Sequence, residues 1–420
     1  MRGPAVLQDR RFSRLVLART ISLFGTGVGP VALAFGVLGL AHASPTDLSI
    51  VQAAYVLPLV LFVLLAGAIA DRRHRLRVLV LADTVGGLAW TGLALLIGTR
   101  HAPLGALVAL AFVGGTGAAL VGPTMTGVVP EMAPPGQLQQ ANSVLRLGLN
   151  FARLLGLAVG GALVAAIGAG WTLAIDAASF FASAVLIAGL GPGEPLPVGG
   201  TSLLSDLRTG GREFFSHQWL WVIVAQFSFL VAVSQASIGV LGPIVAKQHL
   251  GGAPAWSLIV AADALGALAG AIVVLRLRIS RPLFVATLAT LTLALPMLLL
   301  GLPVPAVAVA AGAFLSGVGT AVFGVLWDTT VQREIPPAML SRVSSYDWLG
   351  SVGLSPIGIV VAGPLALAVG ARPAELGCAA VAIASTLLAL LSPHVRRMSG
   401  AATEIRKQDG LGRVALPEEV

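Results

Sequence analysis

Stretches of mainly apolar residues recur along nearly the whole chain, and at about 20 residues each one can cross a hydrocarbon core of about 30 Å. Hydrocarbon offers backbone amides no partners, so such a stretch has to be a helix or a strand of a closed barrel. These are too long and too uniformly apolar for barrel strands, which alternate in polarity over about 10 residues. Composition agrees, with 56% hydrophobic and only 10% charged residues, against about a quarter charged in soluble domains. In that setting the 51 Gly and 25 Pro read as points of close helix contact and kinking, not as disorder.

Charge clusters and Pro/Gly breaks predict twelve spans, near 12–40, 48–70, 78–98, 104–128, 143–168, 172–190, 219–246, 255–275, 282–300, 305–327, 343–370 and 374–392. The first begins after Arg10, Arg11 and Arg14 and lacks a signal-type cleavage site, so it is kept as a span. With the amino terminus inside, 20 of the 26 basic residues fall in cytoplasmic segments, 3 outside (Arg100, Lys247, Arg372) and 3 within helices (Arg19, Arg146, Arg153). That bias predicts a bacterial cytoplasmic membrane protein with both termini in the cytoplasm. It also accounts for the net charge of +8 without nucleic acid.

The longest polar interruption, 191–218, divides a six-span half, 1–190, from a second, 219–393, and a polar tail occupies 394–420. An ungapped repeat supports the division. At an offset of 202 residues, Pro103, Phe112, Gly115, Gly117, Gly122, Pro134, Pro135, Leu138, Gly148, Gly156, Gly161 and Gly168 meet Pro305, Phe314, Gly317, Gly319, Gly324, Pro336, Pro337, Leu340, Gly350, Gly358, Gly363 and Gly370. Two related halves are the plan of carriers that bind substrate between repeats and expose it to each side in turn.

After the second span, Gly67-Ala-Ile-Ala-Asp71-Arg72-Arg73-His74-Arg75-Leu-Arg77 resembles the loop signature of the major facilitator superfamily, G-x-L-A-D-R-x-G-R-R, with His74 where Gly is usual. The resemblance extends to Gly122-Pro123…Val129-Pro130-Glu131…Ala141-Asn142, to Gly156-x-x-x-Gly160-Gly161 and to Asp176-Ala-x-Ser179-Phe180. Together these are similar to the branch of drug and siderophore exporters that includes macrolide efflux proteins and the enterobactin exporter. Leu157 stands where that branch has Pro, and Thr26 where an acid often follows the Gly of the first helix. The resemblance implies an all-α membrane fold of twelve helices in two pseudo-symmetric halves, a gate built on Gly67, Asp71, Arg72, Arg75 and Arg77, and a cavity lined by the first, fourth, seventh and tenth helices. Phe24, Phe112, Gln226, Phe229, Gln235, Phe314 and Phe323 are its contact candidates.

Charges inside spans point to function, since they rarely face lipid. Asn142, Arg146, Asn150 and Arg153, spaced 4, 4 and 3 apart, form one stripe on the fifth helix. Arg146, Asn150 and Arg153 are therefore cavity candidates, as is Arg19 in the first helix. The repeat places Trp348 and Ser355 where the arginines stand, so the cations are not architecture common to both halves. A proton-coupled carrier needs a buried carboxyl that can load and release a proton. Asp263, mid-span in the eighth helix, fits best, with Asp83 in the third as the second candidate; Asp176 reads as structural.

Other chemistry has little support. No G-x-x-x-x-G-K-[ST] loop occurs, the six histidines lack ligand spacing, and the single cysteine cannot form an internal disulfide. The expected protein is not an enzyme and has no cofactor or metal, the proton gradient being its coupling source. It exports a small amphipathic drug or secondary metabolite as a monomer in the lipid bilayer. The alternatives are a lysophospholipid or lipid flippase and a nutrient importer of the same fold.

Overall fold

The computed structural model describes residues 5–72, 74–133, 137–191, 211–276 and 279–398, and every regular element among them is helical. The first three spanning helices are α1 (Arg10–Leu38), α2 (Pro45–Arg72) and α3 (Arg75–Gly98), followed by α4 (Leu104–Met132). The next run, Leu138–Ala188, is 51 residues long, or about 77 Å at 1.5 Å per residue, more than two crossings of a hydrocarbon core. Gly168 breaks it, with φ 82° and ψ 161°, a conformation that penalises any β-carbon. We therefore divide it into α5 (138–167) and α6 (169–188).

In the second half α7 starts as Gln218–Ala236 and continues through π-helical turns at Ser237–Leu241 and Ala246–Leu250. It is followed by α8 (Ala253–Arg276), α9 (Pro282–Ala289 with Ala294–Gly301), α10 (Ala306–Glu334), α11 (Pro337–Val352 with Ser355–Val369) and α12 (Ala371–Leu391). Among the described residues eleven helices are long and apolar enough to span, and the division at Gly168 makes twelve. Gly370, between α11 and α12, repeats the break of Gly168 with φ 94° and ψ 153°. Several helices outrun the predicted spans: α10 reaches Glu334 and α11 starts at Pro337. The helical backbone continues through these polar ends past the apolar stretches.

The sequence repeat is a repeat of contacts. A β-carbon on Gly156 of α5 would overlap the Phe24 carbonyl of α1, and one on Gly358 of α11 would overlap the Ala232 carbonyl of α7. Gly115 of α4 lies as tightly on the Tyr55 carbonyl of α2, and Gly317 of α10 on the Asp263 carbonyl of α8. Lipid is as apolar as leucine, so helices associate through such close approach and not through hydrophobic exclusion.

The same pairing joins the halves. Gly161 of α5 abuts Ala253 and Ser257 of α8, and Gly363 of α11 abuts Pro45 and Ser49 of α2. Ser257 Oγ accepts a hydrogen bond from the Gly161 amide at 2.6 Å. Gln52 Nε2 of α2 donates to the Gly239 carbonyl of α7 at 3.3 Å, and Lys247 Nζ of α7 donates to the Leu38 carbonyl of α1. All these contacts lie toward the end of the bundle opposite Arg10 of α1 and Leu391 of α12, here called the distal end.

Valine at Gly156 or Gly358 is expected to weaken the fold by about 1–3 kcal/mol through overpacking, read as a lower thermal midpoint of the purified protein. Alanine at Gly122 or Gly324, the repeat pair with no atom within 4 Å of an added β-carbon, should leave the midpoint unchanged. Equal midpoints for all four variants would refute the contact assignment.

Candidate functional site

Helix α5 carries the polar stripe predicted from its spacing, and the structure turns that stripe toward the second half. Arg146, Asn150 and Arg153 are exposed in the protein. Arg146 lies within electrostatic range of Asp328 on α10, and Arg153 within range of Asp263 on α8. Arg146 and Arg153 thus each lie near an acid of the second half. Asp263 is half-buried, and Ser316 of α10 stands beside its carboxyl. Arg153 also acts on Tyr55 of α2. Tyr55 and Asp263 are counterparts in the two halves, since Gly115 packs on the carbonyl of one and Gly317 on that of the other. The site therefore gathers charges from symmetric positions that carry different chemistry.

Arg19 and Asp83 take another place. Arg19 Nη1 meets Asp83 Oδ1 at 3.1 Å, and Ser183 Oγ of α6 donates to Asp83 Oδ2 at 2.6 Å. The side chains of this pair are only 5% and 0% exposed, so they form a closed knot among α1, α3 and α6. Gln226 occupies the equivalent knot of the second half, where its Nε2 donates to Thr290 Oγ1 of α9 at 2.9 Å and to Thr386 Oγ1 of α12 at 3.2 Å. Gln226, Thr290 and Thr386 follow Arg19, Asp83 and Ser183 by 207, 207 and 203 residues. The first knot is ionic and the second neutral, on one geometry.

The aromatic candidates divide similarly. Phe323 is buried between Phe227, stacked at 4.5 Å, and Trp327, stacked at 5.9 Å. Phe112 meets Phe62 edge to face at 6.3 Å. Phe229 and Phe314 are 51% and 38% exposed, while Phe24 and Gln235 are half-buried. The structure does not bring Arg19, Gln226 or Phe323 to the face between the halves. It does bring Arg146 and Arg153 there.

Of the loop signature, Arg75 Nη1 holds Glu131 Oε1 at the end of α4 at 2.6 Å, and Arg77 is exposed. The side chains of Gly67, Asp71 and Arg72 lie outside the described residues, as do 192–210 of the predicted linker and 399–420 of the tail. A groove of about 510 Å³ lies apart from these charges at the distal end, between α1, α3 and the α5–α6 corner. Sequence reasoning passes over Glu375, which stands at the edge of the predicted twelfth span but is fully buried. An acid flanked by apolar residues on both sides was the available signal.

The chain matches the family described as transmembrane secretion effector over residues 3–412. It belongs to the major facilitator transporters. The multidrug efflux pump Tap of Mycobacterium tuberculosis (strain ATCC 25618 / H37Rv) is 28% identical, with 94% of this chain and 95% of that protein covered. The enterobactin exporter EntS of Escherichia coli O157:H7 is 27% identical, with 95% of this chain and 96% of that protein covered. Among solved structures, the nucleoside transporter NupG superposes with a TM-score of 0.72 at 14% identity, covering 91% of this chain and 98% of that one. The protein is thus a multi-pass membrane transporter and not an enzyme.

Breaking the ionic knot tests its role. Asp83→Asn leaves the Arg19 guanidinium buried without its counterion, which is expected to cost roughly 3–5 kcal/mol. The triple change Arg19→Gln, Asp83→Thr and Ser183→Thr rebuilds the neutral knot of the second half and should recover most of the thermal midpoint. A triple variant as unstable as Asp83→Asn would show that the two knots are not equivalent.

Proposed function

We propose that the protein exports a small amphipathic drug or secondary metabolite across the bacterial cytoplasmic membrane in exchange for protons. It works as a monomer with both termini in the cytoplasm, and the distal end faces outward. The observation that carries this reading is the approach of Arg153 and Asp263 from opposite halves, on the side of the α5–α8 contacts away from the distal end. The names of Tap and EntS support a drug-like or siderophore-like cargo.

In this reading Asp263 binds the proton and Arg153 responds to its charge. While Asp263 is ionised it attracts Arg153 across the seam; once it is neutral, Arg153 is free to meet an anionic or polar group of the cargo. Phe229 and Phe314 then offer apolar area, and Asn150 and Gln235 hydrogen bonds, in keeping with loose recognition of amphipathic molecules. The loop bearing Gly67, Asp71, Arg72, Arg75 and Arg77 serves as the gate at the cytoplasmic end. Rocking about the glycine contacts at Gly161 and Gly363 alternates access.

Two measurements test the reading. In proteoliposomes, Asp263→Asn should abolish transport driven by an imposed pH gradient, by roughly tenfold or more, while cargo still exchanges by counterflow. A full response to the gradient would remove Asp263 from the coupling step. In cells, cysteines introduced at Ser202 and Ala402 in a Cys378→Ser background should be shielded from an impermeant thiol reagent, and one at His101 labelled. The reverse pattern would overturn the orientation.

A further inference from the structure

Among the described residues, two fully buried carboxyl groups lie outside the site just described. Asp176 of α6 and Glu375 of α12 are both 0% exposed. Neither side-chain oxygen of Asp176 has a hydrogen-bond partner among the described residues. The hydroxyl of Ser179 stands beside the carboxyl and donates to the Asp176 backbone carbonyl at 2.7 Å. Helix α1 walls the carboxyl in: a β-carbon on Gly25 would stand 2.5 Å from Oδ1, one on Gly29 would overlap Oδ2, and the Trp90 ring of α3 also reaches Gly29. Glu375 Oε1 accepts from Ser237 Oγ of α7 at 2.9 Å, and Oε2 has no partner among the described residues.

The two groups hold related places. Each sits on the last helix of its half, eight and five residues past the glycine corners Gly168 and Gly370, and each faces the first helix of that half. Those first helices carry distal contacts between the halves. Ser237 opens the π-helical turn Ser237–Leu241, and the Gly239 carbonyl within that turn receives Gln52 of the other half. Helix α1 ends at Leu38, whose carbonyl receives Lys247. A π turn in a spanning helix often marks a functional position, and here it connects a buried acid to the seam.

Few other ionisable groups surround them. Tyr55 of α2 faces Asp176 and is itself within range of Arg153 of α5. The next charges on α1 and α3 are Arg19 and Asp83, bound to each other. Glu375 has Arg372 one turn before it and Cys378 one turn after it on α12. On α7 the next charges are Lys247 and His249 near the end of the helix, and the facing arms Ala294–Gly301 of α9 and Ser355–Val369 of α11 carry none.

We propose that Asp176 and Glu375 are a matched pair of proton-binding sites, one in each half, that keep the distal contact closed while neutral and release it on ionising. The proposal builds on the reading of the chain as a proton-coupled exporter. A bare carboxylate sealed among apolar groups is strongly disfavoured, whereas a carboxylic acid is tolerated. When the distal end opens, α1 and α7 part from the seam and water reaches the two acids. Each then passes its proton to water, leaving a hydrated carboxylate and hydronium. Closing again requires a proton to return to each.

Distance measurement between spin labels tests this without any cargo. Labels on His101→Cys and Leu302→Cys, in a Cys378→Ser background, report the separation of the two halves at the distal end. In the parent protein the distribution should lengthen as pH rises from mildly acidic to mildly alkaline. Asp176→Asn with Glu375→Gln should stay short throughout, and each single variant should lose part of the shift. Asp263→Asn should keep the shift even though it loses gradient-driven transport, which separates this pair from the coupling site above. A parent without a pH-dependent shift, or a double variant that shifts as the parent does while eluting as one species, would overturn the proposal. Loss of the shift in Asp263→Asn would overturn it as well, by returning control of the distal end to Asp263. If the double variant cannot be purified, the two single variants are read by the same criterion, and full shifts in both count against the pair.

Discussion

Backbone contact at glycine is the interaction on which the rest of this structure depends. In a bilayer the apolar side chains gain little by leaving lipid for one another, so helices hold together where their surfaces approach most closely. Helix α5 uses Gly156 to lie on α1 and Gly161, little more than a turn on, to meet α8 of the other half; α11 does the same with Gly358 and Gly363. One helix in each half is thus both an internal brace and a contact to the other half. The positions of Arg146 and Arg153 follow, because they share α5 with those glycines and are turned toward the second half by them.

The scaffold is symmetric and its charges are not. Tyr55 and Asp263 occupy matching places under Gly115 and Gly317, and the ionic knot of Arg19, Asp83 and Ser183 matches the neutral one of Gln226, Thr290 and Thr386. A carrier with identical halves would place like charges opposite one another, where they repel. Difference between the halves lets a cation from one face an acid from the other, as Arg153 does Asp263. The repeat accounts for the shared glycine contacts, and the difference between its copies for the difference in charge.

Much of this architecture is legible in the residues. Span lengths, the bias of basic residues and the register of 202 residues lead to twelve helices in two halves, and Gly168 and Gly370 in that register adopt the same backbone turn. The stripe on α5 is legible because three and four residue steps define one helix face. The placements of Arg19, Gln226 and Phe323 are not. Helices apolar all round give no rotational phase, so a polar residue within one can face a cavity or a neighbour with equal ease. Their partners, Asp83, Thr290 and Phe227, lie on other helices or face them by a rotation that no local pattern records. Glu375 escapes notice for a related reason: hydropathy windows blur at helix ends, where a buried acid resembles an anchor at the surface.

The difference between the two knots also bears on how such a chain can vary over generations. Gln226, Thr290 and Thr386 are uncharged, so one can be exchanged without stranding a charge, and random drift can rework that half one residue at a time. Arg19 and Asp83 cannot be exchanged singly, because losing either leaves the other as an isolated ion in the protein interior. Passage between the two forms runs through a paired change or through a severely weakened intermediate. The knot of the first half is thereby held by the coupling of its members, while that of the second can change one residue at a time without stranding a charge.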